Sequence, residues 1–335
     1  MQDIFRWQLP LDISEHGHRS DALIEFLHWF MLVLFIGWGI YFIYCLIRFR
    51  ARAGHQPSTA LPKAKAAKWV EIGVVIIEVV LLMGVEAILD VGFSFPIWAD
   101  VRDVNNAPDS ADATVVRVVA EQFAWNVHYP GEDGKFGRTD VHMMSGENPL
   151  GLDRSDANAK DDIFTVNQLH VPVKKPVLVH LSSKDVIHSF GLPMLRIKQD
   201  AIPGMRVPVW FTPTRTTADV QTDPGVTRSY STGEANVLRL AASVAMEDAK
   251  NEDGDVIVTK GADLNEEALA KLREAGITQV TAAPRVPTEI ACAQLCGLGH
   301  YRMRGEILIE TETDFRAWMQ TETQLLEEEG DDEEW

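Results

Sequence analysis

A segment of twelve residues, Cys292 to Met303, gathers four side chains that bind soft metal ions. It reads Cys-Ala-Gln-Leu-Cys-Gly-Leu-Gly-His-Tyr-Arg-Met. Thiolate and thioether sulfur favour copper, and imidazole suits it too. One cysteine with His300 and a methionine would indicate a one-copper electron-transfer site, whereas the two thiolates of Cys292 and Cys296 can bridge two copper ions. With His188, further upstream, as a second histidine beside His300, each ion would have one nitrogen ligand.

Two other interpretations of these residues are weaker. Cysteines in an extracytoplasmic domain often form a disulfide, and a lone methionine usually fills a core. Zinc prefers sites built from cysteine and histidine, and methionine is a poor ligand for it. The joint spacing of all four donors therefore favours copper.

Two apolar segments near the start of the chain predict a membrane anchor. Residues Leu23 to Ile47 are almost wholly apolar, and as a helix they would extend about 38 Å. A second predicted span runs from Trp69 to about Leu89 and carries Glu71, Glu78 and Glu86. Glu71 and Glu78 are two helical turns apart and share one face, which we expect to meet a partner subunit. The alternative to a partner contact for Glu71 is that its side chain extends to the membrane–water interface.

The segment between the two spans is basic and contains no Asp or Glu from Arg48 to Lys68. Its cations are Arg48, Arg50, Arg52, Lys63, Lys65 and Lys68. The excess of positive charge predicts a cytoplasmic loop. Both termini and everything after about Pro96 are then expected on the periplasmic side of a bacterial inner membrane. No cleavable signal is apparent in Met1 to Pro10, so the first span would direct insertion.

The residues after position 98 are acidic, with 23 Lys and Arg against 40 Asp and Glu, a net charge of −17 in a chain whose total is −18. Such a field repels anions, attracts a basic partner and weakens as salt is added. Part of it lies in the run Glu327 to Glu334, which we expect to be a disordered tail.

The same part of the chain predicts β-structure. Short stretches rich in Val and aromatic residues, separated by turns that contain Pro and Gly, are Thr114–Tyr129, Val177–Leu181, Arg206–Phe211 and Glu306–Glu310. Several short strands of this kind predict a sandwich or barrel. A small β-sandwich with metal ligands on loops at one end is the cupredoxin arrangement, and a stiff scaffold suits electron transfer because copper geometry must change little between redox states.

Four motifs occur in the order found in one family. They are Asp185-Val-Ile-His188-Ser-Phe190, Asp200-Ala-Ile-Pro-Gly204, Phe211-Thr-Pro213 and Cys292-Ala-Gln-Leu-Cys296-Gly-Leu-Gly-His300. From the first span through about residue 311, the chain resembles subunit II of a haem-copper cytochrome c oxidase. The resemblance implies a binuclear copper centre, CuA, bridged by the two cysteine thiolates. The other implied ligands are two imidazoles, a weak thioether and a backbone carbonyl, supplied by His188, His300, Met303 and Gln294.

Three positions depart from the family pattern. Position 294 is Gln where the family commonly has Glu, whose side chain helps hold a magnesium ion against subunit I, so an interface magnesium is not implied. The segment Gln122-Phe123-Ala124-Trp125 stands where the family shows Gln-Trp-Tyr-Trp. The candidates for electron input are therefore Phe123 and Trp125, and the alternative for both is sandwich core. Glu71 resembles the glutamate at the mouth of a proton pathway into subunit I, although the Trp-Thr that usually follows is replaced.

About seventy residues between Thr216 and Glu289 lie outside the resemblance and predict an insertion. Within it, Val256–Thr259 predicts a strand and Leu264–Gly276 a short helix with Asn265 as its N-cap. The polar stretch Gly146 to Asp162 predicts a surface loop.

The expected fold is a two-helix transmembrane hairpin followed by an all-β cupredoxin-like sandwich domain with an α/β insertion. The expected boundaries are an external N-terminal segment at 1–22, the hairpin at 23–98 with its cytoplasmic loop at 48–68, the CuA domain at 99–311 with the insertion at about 217–288, and a C-terminal helix and acidic tail at 312–335.

The resemblance also implies a function. The copper pair accepts electrons from cytochrome c or an equivalent donor and passes them to haem in subunit I, where O2 is reduced to water with proton pumping. The chain has no Cys-x-x-Cys-His segment and hence no covalent haem of its own. Implied partners are subunit I, with its haem and CuB, and subunit III; no nucleic acid partner is expected.

Three other functions fit less of the sequence. A quinol oxidase subunit II would lose the copper ligands. A membrane-anchored copper chaperone or thiol oxidoreductase uses two cysteines four apart and a distant histidine, but needs neither His300 nor Met303. A structural assembly subunit with a disulfide leaves the ligand set unexplained.

Overall fold

The computed structural model describes residues 9–54, 64–79, 107–109 and 111–332. These residues belong to two compact units. One unit contains the described residues from Gly17 to Val79, and the other joins Pro10–His16 to the described residues from Ala107 onward.

The first unit contains a long apolar helix, α1 (Gly17–Arg48), of 32 residues. Among the described residues it is the one helix long and apolar enough to cross a membrane, and its many exposed apolar side chains suit a lipid environment. The shorter α2 (Ala64–Val79) covers the first half of the second predicted span and carries Glu71 and Glu78, both exposed. Residues 80–89 of that span lie outside the described residues, so the second crossing stays a prediction.

In its described residues, the second unit is built mainly from fifteen β-strands. Their bounds are β1 Thr114–Glu121, β2 Ala124–Tyr129, β3 Ile163–Val166, β4 Gln168–Pro172, β5 Val177–Ser183, β6 His188–Leu192, β7 Ile197–Ala201, β8 Val207–Phe211, β9 Arg228–Ser231, β10 Ser243–Ala245, β11 Ala249–Lys250, β12 Val256–Val258, β13 Gln279–Pro284, β14 Glu289–Cys292 and β15 Arg304–Glu310. The predicted stretch Thr114–Tyr129 divides into β1 and β2, and the other three predicted strands are confirmed as β5, β8 and β15.

Ten of these strands form two five-stranded sheets, ordered β3-β2-β1-β5-β8 and β4-β15-β14-β6-β7. Strand β1 runs parallel to β5, and β15 runs parallel to β4, while the other neighbours are antiparallel. Alternate residues of β1 are buried, as expected for a strand with one face on a core. The fully buried aromatic side chains Trp125 and Phe190 come from different sheets. The predicted all-β, cupredoxin-like sandwich is confirmed.

Residues 228–284 form a lobe with a core of its own, which we call the accessory lobe. A short helix, α3 (Thr217–Gln221), precedes the lobe. The lobe itself contains a three-stranded sheet ordered β10-β13-β9 and the β11-β12 hairpin. It also contains two helices, α4 (Val237–Leu240) and α5 (Glu266–Glu274). Its buried cluster includes Leu240, Leu264, Leu269, Leu272 and Val280.

The predicted strand and helix of this lobe are confirmed as β12 and α5. The Asn265 side chain accepts a hydrogen bond from the Ala268 amide at 2.9 Å and caps α5. Gly276, two residues beyond the helix, has φ +73°, a conformation that favours glycine.

The loop Gly146–Asp162 is irregular as predicted, with one 3-10 turn at Ala157–Ala159. It is more than a surface loop, because Leu150 and Leu152 are almost fully buried. The Asn148 side chain holds it by bonding both the amide and the carbonyl of Leu152.

The chain ends in helix α6 (Glu312–Asp332). The expectation of a disordered tail from Glu327 was wrong for the described residues, since the helix continues to Asp332. Glutamate favours helix, so an acidic run can extend a helix that has already begun. The Trp318 ring stacks on His170 at 4.0 Å and meets Tyr129 edge-on at 5.1 Å, which attaches the helix to the sandwich.

Replacing Leu272 by Ala should loosen the accessory lobe alone. Loss of a fully buried leucine costs about 2–5 kcal/mol, and the cluster to which it belongs contains lobe residues only. Hydrogen exchange should therefore accelerate at the amides of β9, β10 and β13, while β1 and β15 keep their protection. Glu274→Ala, an exposed change on the same helix, is the control. Equal loss of protection in both parts would mean that lobe and sandwich unfold as one unit.

Candidate metal centre

Strand pairing brings the separated donors together. His188 begins β6 and Cys292 ends β14, and these two strands are antiparallel neighbours in which Cys292 lies opposite Phe190. Beyond Cys292 the chain makes a loop, residues 293–303, which returns as β15 on the other side of β14. A 3-10 turn at His300–Arg302 ends this loop. The loop is called the ligand loop below.

The two cysteines face each other without being bonded. Their Sγ atoms lie 3.8 Å apart, whereas a disulfide needs about 2.05 Å, and both thiols are free. Metal–sulfur bonds are about 2.3 Å long, so one metal ion can reach both sulfurs.

His188 presents an unused nitrogen to this pair. The side chain is fully buried, and its Nε2 is 2.8 Å from Asp185 Oδ1, while its Nδ1 has no hydrogen-bond partner. A buried polar atom without a partner is costly. Because the carboxylate fixes the proton on Nε2, Nδ1 keeps the lone pair that a metal ligand needs. Ligand atoms of His188, Cys292 and Cys296 all lie within 4.8 Å of one another.

The remaining predicted donors surround the same two sulfurs. His300 Nδ1 is 3.6 Å and Met303 Sδ is 3.7 Å from Cys296 Sγ. The Cys292 thiol donates to the Gln294 carbonyl oxygen at 3.2 Å. All six groups suggested by the sequence are therefore gathered at one place, and their softness suits copper.

Burial and hydrogen bonding tune two groups here. Burial, followed by the hydrogen bond with Cys292, raises the pKa of the Cys296 thiol to about 11. That thiol therefore keeps its proton at neutral pH until a metal displaces it. Burial tends to raise the pKa of Asp185, but hydrogen bonds from His188, from the Val186 amide and from the Gln122 amide lower it overall. Asp185 stays a carboxylate that orients His188.

Sequence reasoning did not assign positioning roles to Asp185 and Gln122. The Gln122 amide donates to Asp185 Oδ2 at 2.7 Å, and its side-chain Nε2 donates to the Cys296 carbonyl at 2.6 Å. One residue thus ties the turn after β1 to both the orienting carboxylate and the ligand loop. A carboxylate three residues before the histidine was the available signal for Asp185. Gln122 stood in the segment Gln122-Phe123-Ala124-Trp125, but nothing local indicated its two contacts.

The two candidates for electron input lie in different surroundings. The Phe123 ring packs on the ligand loop so closely that a Cβ on Gly299 would lie 2.3 Å from the ring. It lines a surface cavity with Leu298 and Tyr301, both largely exposed. Trp125 is fully buried in the core, with its ring centroid 6.3 Å from that of His188. Glu71 belongs to the helical unit.

Comparison with known proteins gives a consistent result. Residues 114–219 match the sequence profile described as cytochrome c oxidase subunit II, periplasmic domain. The alternative cytochrome c oxidase subunit 2 of Bradyrhizobium diazoefficiens is 28% identical over 315 residues, which cover 94% of this chain and 83% of that protein. The cytochrome c oxidase subunit 2 of Cereibacter sphaeroides is 26% identical over 204 residues, 55% of this chain and 62%, less than two thirds, of that protein.

A crystal structure of the periplasmic domain of subunit II of cytochrome oxidase (CoxB) of Bradyrhizobium japonicum aligns with 64% of this chain and 95% of that chain, at 19% identity and a TM-score of 0.32. The matched profile begins with β1 and reaches α3, and it includes the strand that carries His188. Together with the relative that aligns over nearly the full length, it shows that the chain is similar to subunit II of cytochrome c oxidases.

Proposed function

We propose that the chain is the electron-input subunit of a respiratory oxidase and that His188, Cys292, Gln294, Cys296, His300 and Met303 hold a binuclear copper centre of the CuA type. The similarity to subunit II of cytochrome c oxidases supports a copper centre and association with subunit I. The finer assignment is supported above all by one observation: two free thiols 3.8 Å apart lie beside a buried imidazole nitrogen that has no partner.

Each of these residues would have a distinct role in holding the two copper ions. The two ions would be held by the cysteine thiolates and the two imidazoles, with the Met303 thioether and the Gln294 carbonyl completing the set. Asp185 holds the His188 ring, and Gln122 holds the ligand loop. When bound, the copper pair supplies a one-electron carrier. The paired strands β6 and β14 keep its ligands in place, so little rearrangement is needed when an electron arrives.

A copper chaperone or thiol oxidoreductase is a weaker proposal. A reactive thiol normally has a lowered pKa, whereas burial raises that of Cys296. A site that hands its metal on needs accessible ligands, but His188, Cys296 and Met303 are almost completely buried. These features support a resident metal centre.

The donor would dock on the surface over the ligand loop. Leu295, Leu298 and Tyr301 expose 76%, 98% and 76% of their surfaces there. Such apolar exposure is typical of an interaction surface. The net charge of the chain favours a basic donor such as a cytochrome c. From the centre, electrons would pass to haem in subunit I, where O2 is reduced to water with proton pumping.

The periplasmic position, the second span and the proton-pathway role of Glu71 remain proposals. They are supported by the basic segment 48–68 and by the helical start of the second span. The domain boundaries at 23–98, 99–311 and 312–335, with an insertion at about 217–288, are proposed on the same basis.

The ligand assignment predicts opposite results for two neighbouring changes. Cys296→Ser removes one of the two thiolate sulfurs and should abolish the binuclear signal in electron paramagnetic resonance. The copper content of this variant should fall below two ions per chain. Gln294→Ala keeps the backbone carbonyl and should preserve both the signal and the two ions. The measurement is a metal count with electron paramagnetic resonance on the intact complex. One copper per native chain, or loss of copper in Gln294→Ala, would contradict the assignment.

The hydrogen bond between Asp185 and His188 predicts a graded effect on metal affinity. Asp185→Ala leaves the imidazole without its orienting partner and should weaken copper binding by about tenfold or more. Asp185→Asn retains an oxygen that can accept a hydrogen bond from His188 Nε2, so this variant should lose less copper affinity than Asp185→Ala. Competition between the protein and a copper chelator measures both affinities. Unchanged affinity in the alanine variant would remove Asp185 from the proposal.

The acidic field predicts a strong salt dependence of turnover. With a basic cytochrome c as donor, the rate should fall steeply as ionic strength rises, because screening weakens attraction between separated charges. The control is a small uncharged reductant, whose rate should change little. A flat response with the cytochrome would argue against a soluble basic donor.

A further inference from the structure

A second cavity lies on the outer face of the first sheet. Its volume is about 520 Å³. Arg117 and Val119 of β1 line it, and they alternate with the buried residues Val116, Val118 and Ala120, so they point away from the sandwich core. The loop 139–150 and the segment Gly204–Arg206 form its other walls.

The polar lining of this cavity is basic. Arg117, His180, Lys184 and Arg206 contribute to it, together with two serine hydroxyls, and no Asp or Glu is among its lining residues in the described chain. Lys184 is neutralised by Glu121 at 2.6 Å. His128, which also lines it, is bonded to the buried Asp162 at 2.7 Å. The positive charge that remains comes from the two arginines.

Two of these side chains have hydrogen-bonding atoms that nothing in the described chain satisfies. Arg117 Nε and His180 Nδ1 are buried and have no partner. The Arg117 guanidinium lies over the Phe136 ring, 3.8 Å from its centroid, which holds it in place without neutralising it.

The pKa values agree with a site whose positive charge is only partly compensated. Burial and, next, the charge of Arg206 lower the pKa of Arg117 to about 10, against the opposing effect of Asp162. Burial also lowers the pKa of His180, with Arg206 and Arg117 as the next causes. The cations disfavour one another, and an anion bound among them would reverse that repulsion.

We propose that this cavity binds a small organic molecule carrying a dianionic phosphate group. Guanidinium groups match phosphate oxygens through paired N–H donors, and Ser182 adds a hydroxyl. The apolar side chains of Val119, Leu150 and Met205 also line the cavity, so an organic group can occupy the part that the phosphate leaves. The site is separate from the ligand loop and does not depend on the copper assignment.

Calorimetric titration of the full chain, with ionic strength held constant, tests the proposal. The probes are AMP, inorganic phosphate and adenosine. AMP should bind more tightly than inorganic phosphate, because it also fills the apolar part of the cavity, and adenosine should not bind. Arg117→Gln and the exposed change Arg206→Gln should each weaken AMP binding about tenfold or more. Arg228→Gln, the same charge change on the accessory lobe, should leave it unaltered.

The results separate clearly. Absence of binding by both phosphate probes would overturn the proposal, and so would equal binding of AMP and adenosine. Should Arg117→Gln fail to fold, Arg206→Gln decides, because its side chain is exposed and its loss leaves the core intact. AMP binding that survives Arg206→Gln in the folded protein would place the anion elsewhere.

Discussion

The pairing of β6 with β14 is the constraint on which the candidate centre depends. It places the first residue of one strand beside the last residue of the other, so His188 and Cys292 meet although more than a hundred residues separate them. Burial then makes the arrangement specific. A buried imidazole with one nitrogen bonded to Asp185 and the other unpaired has a single orientation toward the two sulfurs. The strands fix the backbone, and the carboxylate fixes the ring.

Much of the site could be predicted because its donors are chemically distinctive. Two cysteines, a histidine and a methionine within one loop indicate a soft metal without any knowledge of the fold. Asp185 and Gln122 were harder to predict, because carboxylate and amide side chains are common and their roles depend on contacts between distant segments. The hydrogen bond from Gln122 to the Cys296 carbonyl joins residues 174 positions apart. No local pattern encodes such a contact.

The fold shows the same division between local and tertiary information. Residue composition and turn residues predicted five of the ten described strands in the two large sheets, β1, β2, β5, β8 and β15. An asparagine cap predicted the start of α5. The prediction of a disordered tail from Glu327 was wrong because it was based on the charge of the segment alone. Trp318 stacks on His170 and holds the preceding turns of the same helix, so the acidic residues extend a helix that is already attached. The burial of Leu150 and Leu152 could not be predicted either, because a polar segment with two leucines has the composition of a surface loop. Their burial depends on the structure against which the loop packs.

The accessory lobe shows why a long insertion is tolerated so near the ligand loop. The chain leaves the sandwich after β8 and returns at β14, and the Thr217 hydroxyl accepts a hydrogen bond from the Ile309 amide of β15 at 2.8 Å close to the point of departure. At the other end, the Gln221 side chain donates to the Pro284 carbonyl at 3.4 Å, which ties the two ends of the insertion together. Closing a longer loop between fixed ends adds little entropic cost, and a lobe with its own core supplies its own stability. The strands that carry the metal donors therefore keep their register whatever the lobe contributes.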